Sequence, residues 1–226
     1  MNSFRLLSLI VALCLSPLCA QAFVTPFGIE VNNAIDSGIE RLRNTQDGNG
    51  GWGGPTGLSL LCFLERRAGP DWNAPAVGYI GMDPGDQDRV RRGVRYCINE
   101  VPGFRNDTPR SYDTGSCLMA ISLYLVTGGP DDVGAVVGVQ QAVVSGVNGL
   151  KGTQGNQGFN QGGWSYTNPE NDGDLSTTQF AMAGLSAAAA LRADADLTLP
   201  RATAFITNAK NGDGGHKYRG GGNYQS

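Results

Sequence analysis

No stretch of this sequence alternates apolar and polar residues convincingly over the roughly four to eight positions that a half-buried strand needs, so sheet is not expected. There is no basic excess either. Seventeen Lys and Arg stand against 20 Asp and Glu, a net charge of -3, which withholds the positive field a nucleic-acid binder presents. Cysteine is sparse, with five in 226 residues, and its spacing matches no zinc or haem pattern. Histidine occurs once, as His216. The longest apolar run, Leu6 to Leu18, spans 13 residues and is too short to cross a bilayer comfortably.

That run has another reading. Arg5 precedes it, and Ala20-Gln21-Ala22 follows as an A-x-A cleavage pattern. Residues 1–22 therefore read as an export signal, which leaves a mature chain of residues 23–226, secreted or periplasmic, with no stable membrane span. A lipoprotein is disfavoured because bulky Leu18 precedes Cys19. Three cysteines remain, Cys62, Cys97 and Cys117, each in an apolar segment. They are expected to be small buried hydrophobes, with oxidation of one pair after export left open.

What the chain does have is glycine, 34 residues gathered in clusters. The cluster "TQDGNGGWGG" encloses a tryptophan. Before it, Ile35, Ile39 and Leu42 mark one face of a helix; after it, "TGLSLLCFLERR" begins a strongly apolar helical run. The unit is helix, glycine-rich turn, helix. It recurs. Leu42, Gln46, Gly50, Gly51 and Trp52 have counterparts at identical spacing in Ile206, Lys210, Gly214, Gly215 and His216. Leu150, Gln154, Gly162, Gly163 and Trp164 form a looser copy with four extra loop residues. A further copy, "GVRYCINEVPGF", keeps the helix without Gln or Trp. Gly38, Gly93 and Gly146 fall at intervals of 55 and 53 residues. Such a period predicts stacked helical hairpins. The second helix of each pair is apolar on most faces and should form an inner layer; the charged first helices should face solvent.

The pattern Leu42-x3-Gln46-x3-Gly50-x-Trp52 resembles the QW motif of the prenyltransferase and squalene oxidase repeat. Trp164 with Gln154 or Gln157, and Ile206 to His216, resemble degenerate copies, so the resemblance runs from about Asn33 to Gly222. It implies the α/α-toroid superfamily of squalene–hopene cyclases, oxidosqualene cyclases and protein prenyltransferase β subunits. In that family the glutamine caps a helix end, and the tryptophan stacks beside it and ties neighbouring outer helices together. The resemblance thus implies an all-α chain of about three and a half repeats, an α/α-toroid-like array, C-terminally incomplete and open as a partial barrel. On this reading Gln46, Gly50, Trp52, Gln154, Gly162, Trp164, Lys210, Gly214 and His216 are structural.

The chemistry of the family is only partly represented. Its cyclases carry a D-x-D-D-T acid motif at the start of an inner helix. Here Asp174-Leu175-Ser176-Thr177-Thr178 keeps the first Asp and the Thr. Asp174 and Asp172 are the catalytic candidates, and a helix N-cap is the simpler role for Asp174. Its prenyltransferases bind zinc through Asp, Cys and His. Asp113, Cys117 and His216 supply those residue types, but Asp113 and Cys117 are four apart where the family has two. Asn168, Glu170, Asp172, Gly173 and Asp174 alternate oxygen ligands without the full spacing of a calcium loop. Gly48, Gly50 and Gly53 satisfy G-x-G-x-x-G, but a helix precedes them where a dinucleotide site needs a strand. Asn106-Asp107-Thr108 is a glycosylation sequon if the source is a eukaryote.

No cofactor is expected. Phe63, Tyr124 and Phe180 are the aromatics that the inner helices offer to a pocket. That is thin for stabilising carbocations, and an open array cannot exclude water from them. The expected function is a non-catalytic binding or scaffold role through concave inner helices, with an apolar small molecule, peptide or glycan as partner. An oligomer or a C-terminal continuation would complete the array. The alternative is a terpenoid-cyclase-like or prenyl-chain-binding enzyme within a larger assembly. The signal reading has its own check: intact mass of the exported protein is expected to place its N-terminus at Phe23, and a retained Met1 refutes it.

Overall fold

The computed structural model describes residues 24–157, 161–166 and 173–218. The export signal, Asn168, Glu170 and Asp172 lie outside the described residues. The chain is all-α. Among the described residues seven α-helices run in order: α1 Pro26–Thr45, α2 Thr56–Glu65, α3 Pro84–Glu100, α4 Ser111–Val126, α5 Val139–Thr153, α6 Leu175–Ala188 and α7 Leu199–Asn208, with a 3₁₀ turn at Ala195–Thr198 before the last. No strand occurs among the described residues; isolated bridges join Arg67 to Ala76, Trp164 to Asp174 and Lys210 to His216. No described helix is long and apolar enough to cross a membrane.

The helix starts follow from local chemistry. Thr25 caps α1 by accepting the Gly28 amide on Oγ1 at 2.9 Å, and Asp83 caps α3 by accepting the amides of Gly85 and Asp86. Pro26 and Pro84 follow these caps as first helical residues, where the missing N–H has no helical partner to lose. Asp174 opens α6 in the same way, accepting Thr177 N–H at 2.8 Å.

α4 is the centre of the molecule. It packs against α2, α3, α5 and α6, most extensively against α6 and then α2. The contact is close because glycine stands where the backbones meet. A Cβ on Gly57 of α2 would lie 2.6 Å from the Cys117 amide nitrogen of α4. A Cβ on Gly115 of α4 would run into the Phe180 carbonyl of α6, and one on Gly184 would lie 2.5 Å from the Gly115 carbonyl oxygen. These three helices carry the apolar sequences expected of an inner layer, and Leu60, Leu64, Leu118, Ile121 and Leu185 are fully buried. α1, α3 and α5 turn a narrower apolar stripe toward them, with Ile39, Val90, Val94, Val143 and Val147 buried. A second tie joins α1 to α3: Arg43 donates to buried Asp86 through Nε at 2.9 Å and through Nη2 at 2.6 Å.

Two expectations need correction. Cys62 is exposed on α2, whereas Cys97 and Cys117 are buried; it opens onto a surface cleft between α1 and α2, beside Ile35, Leu58 and Glu65. Phe63 and Tyr124 are core residues rather than the walls of an inner-helix pocket, and Phe63 borders only a small cavity of about 230 Å³ shared with Arg66, Val77 and Met82. Both are buried in the core, Phe63 with its ring 5.9 Å from that of Trp52, and Tyr124 edge-on to Tyr79 at 4.8 Å, its hydroxyl donating to the Pro130 carbonyl.

Two glycine substitutions separate close packing from helix propensity. Gly115→Ala is expected to destabilise by about 2 kcal/mol or more, since a backbone carbonyl blocks the methyl. Gly152→Ala, at an exposed position of α5 with nothing within 4 Å, is expected to stabilise by about 0.5–1 kcal/mol. Urea denaturation of both variants checks the pair.

Candidate functional site

The glycine–tryptophan loops tie successive helices together. Gln46 follows α1, and its Nε2 donates to the Gly50 carbonyl at 2.8 Å and to the Arg89 carbonyl of α3 at 2.9 Å. Gln154 follows α5, and its Nε2 donates to the Gly162 carbonyl at 2.9 Å and to the Thr198 carbonyl, at the entry to α7, at 3.0 Å. The indole N–H of Trp52 donates to the Leu42 carbonyl at 2.9 Å; that of Trp164 donates to the Leu150 carbonyl at 2.8 Å. These carbonyls belong to the last turns of α1 and α5, where no intrahelical donor remains for them. Each tryptophan amide donates to a threonine hydroxyl at the start of the next apolar helix: Trp52 to Thr56 at 2.8 Å, Trp164 to Thr178 at 3.0 Å.

The surroundings match as well. Gly50 has φ +94° and abuts the Arg92 carbonyl; Gly162 has φ +99° and abuts the Arg201 carbonyl. A side chain is excluded at both by conformation and by space. Gly51 lies against the ring of Tyr96 and Gly163 against that of Phe205. Lys151 pairs with Asp194 at 2.8 Å, three residues before its glutamine, as Arg43 pairs with Asp86 three residues before Gln46. Hydrogen bonds from Arg192 and Lys151 hold the Asp194 carboxyl well below the usual carboxylate range. The glutamine amide thus links the loop to the next helix segment by hydrogen bonding, and the tryptophan reaches its own helix through its N–H.

The other two copies depart from this pattern. In the second, Phe104 is fully buried, and a Cβ on Gly146 of α5 would meet its ring at 2.8 Å. Gly93 of α3 abuts Trp52 in the same manner. Phe104 therefore fills the aromatic place, preceded by Gly103 at φ +99°. In the last copy Gly214 keeps φ +93°, and Asn211 N–H donates to the Gly215 carbonyl at 2.7 Å, so the loop shape persists. His216 and Lys210 are exposed in it, and His216 does not bury as Trp164 does.

Between the loops, the starts of α4 and α6 lie side by side. Tyr112 and Phe180 pair with ring centroids 4.3 Å apart, both half-buried. Asp113 beside them is held by Arg110 at 2.6 Å. The Asp174 side chain is buried; its Oδ1 accepts the Thr177 amide and the Ser176 hydroxyl, at 2.8 and 2.7 Å. The Ser176 hydroxyl lies 3.2 Å from that of Tyr218, and Leu175 N–H donates to the Tyr218 carbonyl at 2.9 Å. A hydrogen bond with Tyr218 pushes the exposed Tyr166 hydroxyl up from its ordinary pKa. The rim is thus aromatic and hydroxyl-rich, with Met119, Leu123 and Met182 half-buried further along the same two helices. It offers stacking and hydrogen-bonding groups. Asp174 is committed to capping, and no second described carboxylate hydrogen bonds to it.

The candidate zinc ligands do not meet. Asp113 is ion-paired with Arg110, Cys117 Sγ lies 2.9 Å from Cys97 Sγ in the core, and His216 is exposed on the last loop. Among the described residues no three His, Cys, Asp or Glu side chains group as metal ligands. Burial, followed by the contact with Cys117, pushes the Cys97 thiol well up from its ordinary value. Asn106 of the sequon is exposed at φ +63°, its Oδ1 accepting the Ser145 hydroxyl at 3.2 Å. A separate apolar cleft of about 380 Å³ lies between α1 and the loop after α2, lined by Phe27, Val31, Ile35, Pro70 and Trp72.

Sequence reasoning missed Tyr112, Thr56, the part Thr178 plays as acceptor for the Trp164 amide, and the two cation–carboxylate ties. Thr56 lies four residues beyond its tryptophan and Thr178 fourteen, so no fixed offset relates them. The recurrence of a cation three residues before each glutamine was a usable signal. Comparison with family models, with curated proteins and with solved structures finds no match.

The two intact loops differ in burial, and stability should follow. Trp164 is 1% exposed and Trp52 is half-buried. Trp164→Ala is expected to cost about 3–5 kcal/mol and Trp52→Ala less. Trp164→Phe keeps most of the ring, leaves the Leu150 carbonyl unpaired and is expected to cost about 1–2 kcal/mol. Chemical denaturation ranks the three.

Proposed function

We propose that this chain is an exported helical-repeat binding module of the terpenoid cyclase and protein prenyltransferase superfamily, arranged as an open, toroid-like array. Its role is to bind an apolar or aromatic ligand on the concave side of its inner helices rather than to catalyse. The observation that carries the family reading is the paired clasp. Gln46 with Trp52, and Gln154 with Trp164, make the same four hydrogen bonds to equivalent groups in two parts of the chain. Duplication of so specific a device supports repetition of the whole hairpin.

The binding role is supported by the rim of α4 and α6. Tyr112 and Phe180 present ring surface, and Ser176, Tyr166 and Tyr218 present hydroxyls beside it. A cyclase must hold a strong acid against an alkene and surround the resulting cation with aromatic faces. Asp174 instead has Oδ1 engaged by a helix amide and a serine hydroxyl. Phe63 and Tyr124, two of the four aromatics on the inner helices, are spent in the core. A cyclase-like reading retains one point in its favour, the buried position of Asp174 at the opening of an inner helix.

Two measurements separate these readings. Incubation of the purified chain with squalene is expected to return squalene unchanged; a cyclised product that disappears in Asp174→Asn establishes the enzyme. Titration with farnesol, as an apolar probe, is expected to give binding that Phe180→Ala weakens about tenfold and Trp72→Ala leaves unchanged. The reverse pattern moves the ligand site to the α1 cleft and refutes the inner-helix assignment.

A further inference from the structure

We propose that Cys97 and Cys117 close into a disulfide that staples α3 to α4. The two sulfur atoms lie 2.9 Å apart, and the residues are 20 positions apart in the chain. Both side chains are solvent-excluded, at 0% and 1% exposure, and belong to the continuous apolar core. A disulfide spans about 2.05 Å, so each sulfur needs to move only about half an ångström, within the range of a small side-chain rotation. Helix packing has already brought the partners together, as Gly57 seats the Cys117 backbone against α2 and Val94 and Ile98 bury the helix face that carries Cys97. Cys62 is exposed on α2 and stays outside the pair.

Closure consumes an oxidant, which is a small or protein-borne disulfide acting by exchange. One cysteine thiolate attacks a sulfur of the oxidant, forms a mixed disulfide and releases one thiol. The second cysteine then attacks the protein sulfur of that mixed disulfide and releases the second thiol. The protein loses two protons and two electrons, and the oxidant is reduced to two thiols. Because neither sulfur meets solvent in the folded chain, the exchange takes place before α3 and α4 close on each other. The finished bond is then shielded from reductants by the same burial. Its effect is to join the last turns of an outer helix to the middle of the central helix, across the copy whose loop lacks the Gln and Trp. The staple stands independently of any ligand on α4 and α6.

The full chain is refolded from urea with a reduced and oxidised glutathione couple, with far-UV circular dichroism to verify helix recovery. Free thiols are blocked in denaturant and the chain is cut with trypsin. The expected product is residues 96–105 joined to residues 111–151, each of which holds one cysteine. Recovery of both peptides separately with blocked thiols, or of Cys62 joined to either, overturns the proposal. A chain that fails to recover helix in the couple but recovers it in reductant overturns it as well. In the refolded protein, reduction by dithiothreitol is expected to be at least tenfold slower without denaturant than with it. Equal rates refute a shielded bond. The oxidised protein is expected to melt about 6–12 °C above the same chain folded in reductant, and Cys97→Ala is expected to abolish that difference.

Discussion

The constraint on which this structure depends is a primary amide that donates twice. Gln46 and Gln154 each leave the end of one helix and place Nε2 between a loop carbonyl and a second carbonyl, that of Arg89 in α3 or of Thr198 at the entry to α7. A helix end presents carbonyls with no donor, and burying them unpaired is costly. The tryptophan N–H satisfies one such carbonyl on the helix just finished, and the glutamine adds a second donor to a carbonyl near the start of the helix to come, Arg89 in α3 or Thr198 just before α7. One short loop therefore sets the spacing of two helices that share little direct contact. Both glutamines also leave Oε1 buried without a protein partner. The same imperfection in both places is further reason to regard them as one device used twice.

Glycine serves two separate purposes around this device. In the loops, positive φ and a neighbouring carbonyl at Gly50 and Gly162 make any Cβ untenable. In α2, α4 and α6, Gly57, Gly115 and Gly184 let helix backbones touch at the centre of the molecule. Dispersion and apolar burial then act over many atoms at short range. The aromatic rim at the start of α4 and α6 is a consequence. Gly115 draws α6 in close, so that Tyr112 and Phe180 meet at 4.3 Å and stay half-buried at its edge.

Much of this was legible in advance. The apolar spacing of Ile35, Ile39 and Leu42 and the near-continuous apolar runs of the second helices required helices of two kinds, because only a 3.6-residue period puts those positions on one face. The matched Gln, Gly and Trp offsets singled out the loops. Phe104 was not legible as a member of the set. It lies directly after Gly103 with no glutamine before it, and only its contact with Gly146 reveals the role. The zinc candidates were chosen by residue type. Helical position decided against them, since the turn that places Cys117 in the core beside Cys97 leaves Asp113 at the partly open end of α4, next to Arg110. The calcium-loop residues Asn168, Glu170 and Asp172 lie outside the described residues, and Asp174 is engaged as a cap.

By itself, then, the order of residues determined the all-helical class, the punctuation by glycine and the positions of both clasps, because these depend on local periodicity and on conformations only glycine tolerates. Tertiary structure alone decided which carbonyls the glutamines reach, which aromatics remain at the surface and which thiols meet. Those outcomes turn on ångström-scale approaches between segments about 20 to 45 positions apart in the chain, and no spacing along a single helix encodes them.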